Sequence, residues 1–219
     1  SPSGLDGTGE LFADFVSSAE IHNIGTVVGS YPTDVPLDYR ALEPIARSFL
    51  PSDEPFYLLA ESFSGPLGIS IAATSPPGLL GLILCCSFAR NPRPAFRAMF
   101  PFRSMPDLVV SRFLLGRFTT PSLRTRLGQA LVQVSPAVLR TRLRSVLAVD
   151  VSAKVRSIRV PMLYLRATED WLVPRSAGES IASLVSQATI VEFAAPHGLL
   201  QVLPARVAET VEAFVQPSR

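Results

Sequence analysis

The chain has 219 residues, enough for one domain with an insertion and a sizeable hydrophobic core. Its formal net charge of only +2 argues against a nucleic-acid partner. Although 47% of its residues are hydrophobic, no apolar run approaches the ~18 residues that a membrane-spanning helix needs. We therefore expect a soluble protein with an apolar groove or patch.

The first part of the chain alternates between helical and extended patterns. After a glycine-rich stretch at residues 3–10, apolar residues at helical spacing predict a helix over 11–19, and residues 26–31 have the composition of a strand. A second amphipathic helix is predicted over 39–50. His22 follows the first helix, where we expect it to be a solvated or capping residue.

Residues 57–68 predict a strand, a tight turn and a helix, with Ser62 at the turn. The residues two positions away on either side, Ala60 and Ser64, are small. Such a serine presents its hydroxyl only from a sharp, strained turn, and positions two residues away tolerate little bulk there. The helix that follows would direct its N-terminal N–H groups at the site, which places the Phe63 N–H to bind an oxyanion.

A continuously apolar strand is predicted at residues 79–86, after the helix at 66–74. Strand, helix and strand in this order describe a βαβ unit and therefore a parallel sheet. Cys85 and Cys86 are neighbours in this strand, where they cannot form an ordinary disulfide. We expect two buried thiols and a reducing, cytoplasmic location.

The composition changes at Ala89, where arginines interleaved with phenylalanine and methionine begin. Residues 1–88 and 151–219 are predicted to form the core, and residues 89–150 a helical lid inserted into it. Short helices are predicted within the lid at 108–118, 122–134 and 136–147.

Aromatic and methionine side chains in this lid suit an apolar acyl chain. The candidates for substrate binding are Phe96, Phe100, Met105 and Phe113. The lid arginines are expected to lie on solvated helix faces with their apolar stems on the core. Two alternatives stay open: that they bind an anionic acyl donor, and that the lid docks on an anionic membrane surface.

Beyond the insertion the sheet pattern resumes. Strands are predicted over 158–165 and 189–193, and helices over 176–185 and 204–215. A loop at 194–198 joins the last strand to the last helix.

A serine becomes a nucleophile only when a base takes its proton, and neutral imidazole is the usual base near pH 7. Of the two histidines, His197 lies in the loop after the last predicted strand, where ligands of open α/β sheets gather. Asp170 or the adjacent Glu169, after the preceding strand, could orient it. Ser62, His197 and either Asp170 or Glu169 are therefore the candidate catalytic residues.

These motifs resemble the α/β-hydrolase superfamily, of the serine esterase and lipase type. Residues 60–64, Ala-Glu-Ser-Phe-Ser, are a relaxed form of its Gly-x-Ser-x-Gly turn, and the order Ser, Asp, His is the one this superfamily uses. Residues 168–174 resemble its acid loop, which favours Asp170 over Glu169. The core, residues 4–88 and 160–214, is also similar to plastid phytyl-ester and diacylglycerol acyltransferase-like proteins.

The resemblance implies an α/β fold: a mostly parallel sheet flanked by helices, with an inserted helical lid. It also implies that the Leu5 N–H joins the Phe63 N–H in an oxyanion hole. A phosphate-binding role for the glycine-rich stretch is the rival interpretation, but no Gly-Lys-Ser/Thr follows.

The predicted activity is hydrolysis of short to medium acyl esters through an acyl-enzyme, with no metal or organic cofactor. An acyltransferase or thioesterase using the same residues, and a noncatalytic binding protein, are the alternatives. The sequence does not predict an oligomeric state.

One feature departs from the superfamily. Its oxyanion loop follows a central strand, whereas only three residues precede Gly4 here. Upstream residues absent from this sequence, a strand from another chain, or a sheet rebuilt without that strand would each account for this, and we favour the first.

Overall fold

The computed structural model describes residues 7–95 and 120–216. Within these ranges the helices and strands, numbered in chain order, are α1 (Ala13–Ile21), α2 (Tyr39–Ser48), β1 (Phe56–Glu61), α3 (Gly65–Ala72), β2 (Leu79–Cys85), α4 (Pro121–Val132), α5 (Pro136–Ala148), α6 (Ser152–Val155), β3 (Met162–Ala167), α7 (Arg175–Ala182), β4 (Ala188–Phe193), α8 (Leu199–Val202) and α9 (Pro204–Val215). No helix in this part of the chain is both long and apolar enough to cross a bilayer.

The four strands form one parallel sheet in the order β1-β2-β3-β4. Leu82 and Leu84 on β2 pack on one face with α2, α3 and α7, while Ile83 and Cys85 pack on the other face with α1 and α9. A strand buried on both faces has to be apolar throughout, and the continuous apolar run at residues 79–86 predicted such a strand. The α/β fold with a mostly parallel sheet flanked by helices is confirmed, and the carboxyl ends of all four strands lie at one edge.

The strand predicted at residues 26–31 is wrong. These residues are extended but form no regular strand, and only Gly29 occupies a bridge position. A groove of about 590 Å³ lies beside β1, and both this segment and Leu58 and Leu59 of β1 line it. Because the groove separates the segment from β1, no ladder forms between the two.

The insertion leaves and rejoins the core at one place. The Val151 N–H donates to the Ala89 carbonyl at 2.8 Å, the Asn91 N–H donates to the Val149 carbonyl at 3.1 Å, and an antiparallel bridge joins Arg90 to Asp150. The two exits of the insertion are therefore hydrogen-bonded to each other.

Two of the helices predicted in the insertion are confirmed as α4 and α5, and the helix predicted at 108–118 lies outside the described residues. Leu123 and Ala130 of α4 pack on Leu11 of the core. The caps explain where both helices begin: the Thr120 and Ser135 hydroxyls accept backbone N–H groups of the first turns.

Arg142 of α5 contradicts the expectation that the insertion arginines are solvated. Its side chain is only 1% exposed; Nη2 donates to the Pro32 carbonyl at 2.9 Å, and the guanidinium lies 5.8 Å from the centre of the Tyr31 ring. A Cβ on Gly7 would come within 2.6 Å of Nη1, so the guanidinium packs directly against this glycine. The arginine thus fastens α5 to the glycine-rich loop.

Candidate active site

Ser62 lies directly after β1 with a φ of +51°, a left-handed backbone conformation that is strained for a residue with a side chain. The turn requires a glycine at position 65, because a Cβ there would lie 1.6 Å from Ser87 Oγ. Ser87 Oγ in turn donates to the Ser62 carbonyl at 2.7 Å. The strained turn expected from the sequence is present, and β2 holds it through Ser87.

Two tyrosines fix the residues after Ser62. The Tyr39 hydroxyl donates to the Phe63 carbonyl at 2.8 Å, and the two rings stack with their centres 4.7 Å apart. The Tyr31 hydroxyl lies 3.2 Å from Ser64 Oγ. Tyr39 therefore holds the peptide between Phe63 and Ser64, while the peptide that carries the Phe63 N–H is held by the bond from Ser87 Oγ to the Ser62 carbonyl. Leu5, the other predicted oxyanion donor, lies outside the described residues.

His197 follows β4 at the same edge of the sheet and bridges the other two candidate residues. Its Nε2 lies 2.8 Å from Ser62 Oγ, and its Nδ1 lies 2.7 Å from Asp170 Oδ2. When Nδ1 carries the ring proton and donates a hydrogen bond to the carboxylate, Nε2 is free to accept the serine proton.

Asp170, rather than Glu169, faces the imidazole. Its Oδ1 accepts the N–H groups of Leu172 and Val173 at 2.8 and 2.9 Å, which leaves Oδ2 for His197. Its side chain is 2% exposed, whereas Glu169 is exposed to solvent. The turn after β3 thus orients the carboxylate through both of its oxygens.

The electrostatics of the site are dominated by negative groups. Burial of His197 acts to lower its pKa, but the charge and hydrogen bond of Asp170, with smaller contributions from Cys86 and Glu61, raise this pKa to about 9. The surroundings therefore favour an imidazole that carries a proton, which is the form created when it takes one from serine.

Cys86 was not anticipated at the site. It follows β2 with a φ of +44°, and its sulfur lies within 4.8 Å of ligand atoms of Asp170 and His197. These three residues are the only cluster of potential metal ligands in residues 7–95 and 120–216. A cation among them would have to displace the hydrogen bond between His197 and Asp170, so the geometry favours proton transfer over metal binding. As expected, neither cysteine forms a disulfide, and both are buried.

The predicted substrate-binding residues Phe96, Phe100, Met105 and Phe113 lie outside the described residues. His22 caps α1, as expected, but its ring is only 22% exposed because Nδ1 lies 2.7 Å from Glu212 Oε2 on α9. Of the two alternatives predicted for His22, solvated or capping, the structure shows the second, with a helix distant in sequence packed beside it.

Sequence reasoning missed Ser87, Tyr31 and Tyr39, which support the turn, and the buried carboxylate of Glu61. Ser87 lies just beyond the carboxyl end of a buried strand, a position that could have signalled a role at the site. The tyrosines gave no such signal, because their contacts depend on how separate elements pack.

Comparisons with known proteins identify the family and the fold of the chain. The sequence profile described as "Alpha/beta hydrolase family" matches residues 7–210. No protein with a curated function is significantly similar in sequence.

Several solved structures share the fold. A hydrolase from Pseudomonas aeruginosa PA01 is 19% identical, with a TM-score of 0.80 over 98% of this chain and 88% of its own. The enol-lactonase from Burkholderia xenovorans LB400 is 18% identical, with a TM-score of 0.79 over 98% and 90%. An esterase from Exiguobacterium antarcticum is 14% identical, with a TM-score of 0.77 over 98% and 91%. At these identities the likeness concerns the fold alone.

Proposed function

Since the chain belongs to the alpha/beta hydrolase family, we propose that it is a serine hydrolase of carboxylic esters, with Ser62, His197 and Asp170 as its catalytic triad. The observation that carries this proposal is the unbroken chain of hydrogen bonds from Ser62 Oγ through His197 to Asp170, at 2.8 and 2.7 Å. The same residue types in the same relation activate serine nucleophiles on several unrelated folds.

In the proposed reaction, His197 Nε2 takes the Ser62 proton as Oγ attacks the ester carbonyl. The resulting imidazolium passes its proton to the departing alcohol, which leaves an acyl group on Ser62. Water, deprotonated by the same nitrogen, then releases the acid. Asp170 keeps the proton on Nδ1 and stabilises the positive ring.

The negative oxygen of the tetrahedral intermediate would be held by the N–H groups of Phe63 and Leu5. Each such donor contributes about 3 kcal/mol of transition-state stabilisation. The bond from Ser87 Oγ to the Ser62 carbonyl supports this role, because it fixes the peptide that carries the Phe63 N–H, and a donor that does not have to reorganise is worth most.

For the substrate we propose short to medium acyl esters, with residues 89–150 forming a lid whose aromatic and methionine side chains contact the acyl chain. Two of the structural neighbours, an esterase and an enol-lactonase, agree with this class of substrate. The chemistry of the triad itself is the same for each of these esters.

The test is hydrolysis of p-nitrophenyl esters from acetate to palmitate by the wild-type protein, Ser62→Ala and Ser48→Ala. Ser48 is an exposed helix serine and serves as the matched control. We expect turnover by the wild-type protein and the control, and a loss of at least about 10⁴-fold in Ser62→Ala.

Labelling with a fluorophosphonate, which reacts with activated serines, separates the alternatives. Labelling of Ser62 without ester turnover would favour an acyltransferase or thioesterase. A folded wild-type protein that neither turns over esters nor reacts at Ser62 would contradict the proposal and favour a noncatalytic binding protein.

A further inference from the structure

Glu61, the residue before Ser62, is a carboxylate only 4% exposed at the end of β1. The proposed reaction does not use it. A buried carboxylate is costly unless its oxygens are hydrogen-bonded, so its partners indicate what it does.

The partners of Glu61 lie on two other elements. Its Oε2 accepts from Gln201 Nε2 at 2.8 Å, and its Oε1 accepts from the Leu200 N–H at 3.4 Å, both on α8. The Cys85 thiol at the end of β2 lies 3.8 Å from Oε1. The carboxylate therefore connects β1, β2 and α8.

Helix α8 begins at Leu199, directly after His197 and Gly198. Gly198 has a φ of +85°, and Leu199 and Leu200 are fully buried. Because so short a link separates His197 from the residues bound to Glu61, the position of the imidazole follows that of α8. Glu61 is also bonded through the backbone to Ser62, so it spans both ends of the 2.8 Å contact between Ser62 and His197.

The charge of Glu61 acts on the same imidazole. In the part of the chain that the structure describes, the groups that act on His197 include Glu61 at the end of β1, Ser62 directly after it, Cys86 after β2 and Asp170 after β3. Among them, Glu61 and Asp170 are carboxylates that favour the protonated ring. Asp170 does so by direct contact, and Glu61 through the smaller contribution of its charge.

We propose that Glu61 is a positioning residue that joins the Ser62 turn to the segment carrying His197 and electrostatically stabilises the imidazolium formed during catalysis. Its effect on turnover rests on the proposed function. Its effect on the titration of His197 does not.

The substitution Glu61→Gln removes the negative charge of this side chain and keeps its size and shape. A glutamine can still accept from the Leu200 N–H through its oxygen, and its NH₂ group can donate to Gln201 once the Gln201 amide turns over. We expect the midpoint of the His197 NMR titration to fall, the acidic limb of kcat/KM to move to lower pH with it, and the plateau of kcat to decrease. With only two histidines in the chain, a His22→Ala background assigns the remaining imidazole signal to His197.

The matched control for this charge is Glu169→Gln. Glu169 is an exposed carboxylate next to Asp170 in sequence, so its loss should leave the midpoint unchanged.

Gln201→Met tests the connection that Glu61 makes between β1 and α8, and it leaves the charge of Glu61 in place. Because it removes the shortest hydrogen bond to the carboxylate, we expect kcat to fall about 10-fold with no shift in the midpoint. The double variant Glu61→Gln with Gln201→Glu exchanges the two roles and should recover a midpoint close to that of the wild-type protein.

An unchanged His197 midpoint in folded Glu61→Gln would overturn the electrostatic role of Glu61. An unchanged kcat in Gln201→Met would overturn its role in connecting β1 to α8. Should Glu61→Gln fail to fold, the role-exchanged double variant provides the titration, where a midpoint far below the wild-type value would contradict the proposal. If the wild-type protein turned over no ester, the proposed function would fail while the NMR titrations still decided the electrostatic role of Glu61.

Discussion

The protein contains two histidine–carboxylate pairs of equal length. His22 Nδ1 lies 2.7 Å from Glu212, and His197 Nδ1 lies 2.7 Å from Asp170. In the first pair the side chains are 22% and 37% exposed, and in the second they are 10% and 2% exposed. The first pair joins helices α1 and α9, and the second lies at the carboxyl edge of the sheet.

This difference is the reason that we propose His197, and not His22, as the catalytic base. Solvent screens the charge of a partly exposed carboxylate, so the pair of His22 with Glu212 serves mainly to join two helices. His197 is shielded from water, and its other nitrogen faces the Ser62 hydroxyl. Burial and this third partner distinguish the two pairs.

The largest expected effect is that of removing the His197 imidazole, and removal of the His22 imidazole is its control. His197→Ala should lower kcat by about 10⁴- to 10⁶-fold, because the serine loses its base. His22→Ala, the matched control, should leave ester hydrolysis nearly unchanged. Equal losses in the two variants would contradict the assignment of the base.

The carboxylates provide the next contrast. Asp170→Asn should lower kcat by about 10⁴-fold, as removing the corresponding charge does in serine proteases, since the amide no longer favours the required tautomer. Glu212→Gln removes a carboxylate at the same distance from the other histidine and should leave kcat unaffected. Initial rates with the ester that the wild-type protein cleaves fastest check both variants.

The pH dependence should follow His197 alone. Because the pKa of His197 is raised to about 9, the ring is mostly protonated at pH 7 and cannot accept the serine proton. We expect kcat/KM to rise roughly tenfold per pH unit below this pKa and to level off above about pH 9. A profile already flat from pH 7 would contradict this electrostatic description, and His22→Ala should reproduce the wild-type profile.

The smallest effect concerns the His22 pair and should appear only in stability. His22→Ala and Glu212→Gln should each lower the free energy of unfolding by about 0.2–1 kcal/mol, the range for partly exposed ion pairs. Urea denaturation at pH 6 measures it. A loss of several kcal/mol would mean that the two helices depend on this pair far more than its exposure indicates.

The parts of the fold that could be predicted depend on local sequence. Ser62, with small neighbours between an apolar strand and a helix, predicts its own strained turn, and continuous apolar runs such as 79–86 predict strands buried on both faces. The order of strand ends then brings Asp170 and His197 to the same edge, because carboxyl ends of parallel strands lie together.

The parts that could not be predicted depend on packing between distant elements. Residues 26–31 have the composition of a strand, but they form no ladder with β1, the nearest described strand, because a groove lies between them. Arg142 looked like one solvated arginine among many, yet it is buried against Gly7 and Tyr31. Glu61 carries no sign in the sequence that Gln201 will be its partner. The lid and its substrate-binding residues stay predictions.

The paired exits of the insertion, where Ala89 and Asn91 bond to Val151 and Val149, have a consequence for how such chains diversify. These bonds join the two ends of the insertion to each other next to the sheet. We therefore expect β2 and β3 to keep their register when the residues between these ends are replaced. A graft that joins residues 91 and 149 through a different helical segment would keep these bonds but would also remove Arg142, and with it the contact to Gly7 of the glycine-rich loop. Recombination at this pair of positions would therefore have to supply a replacement for Arg142 as well as a new helical segment.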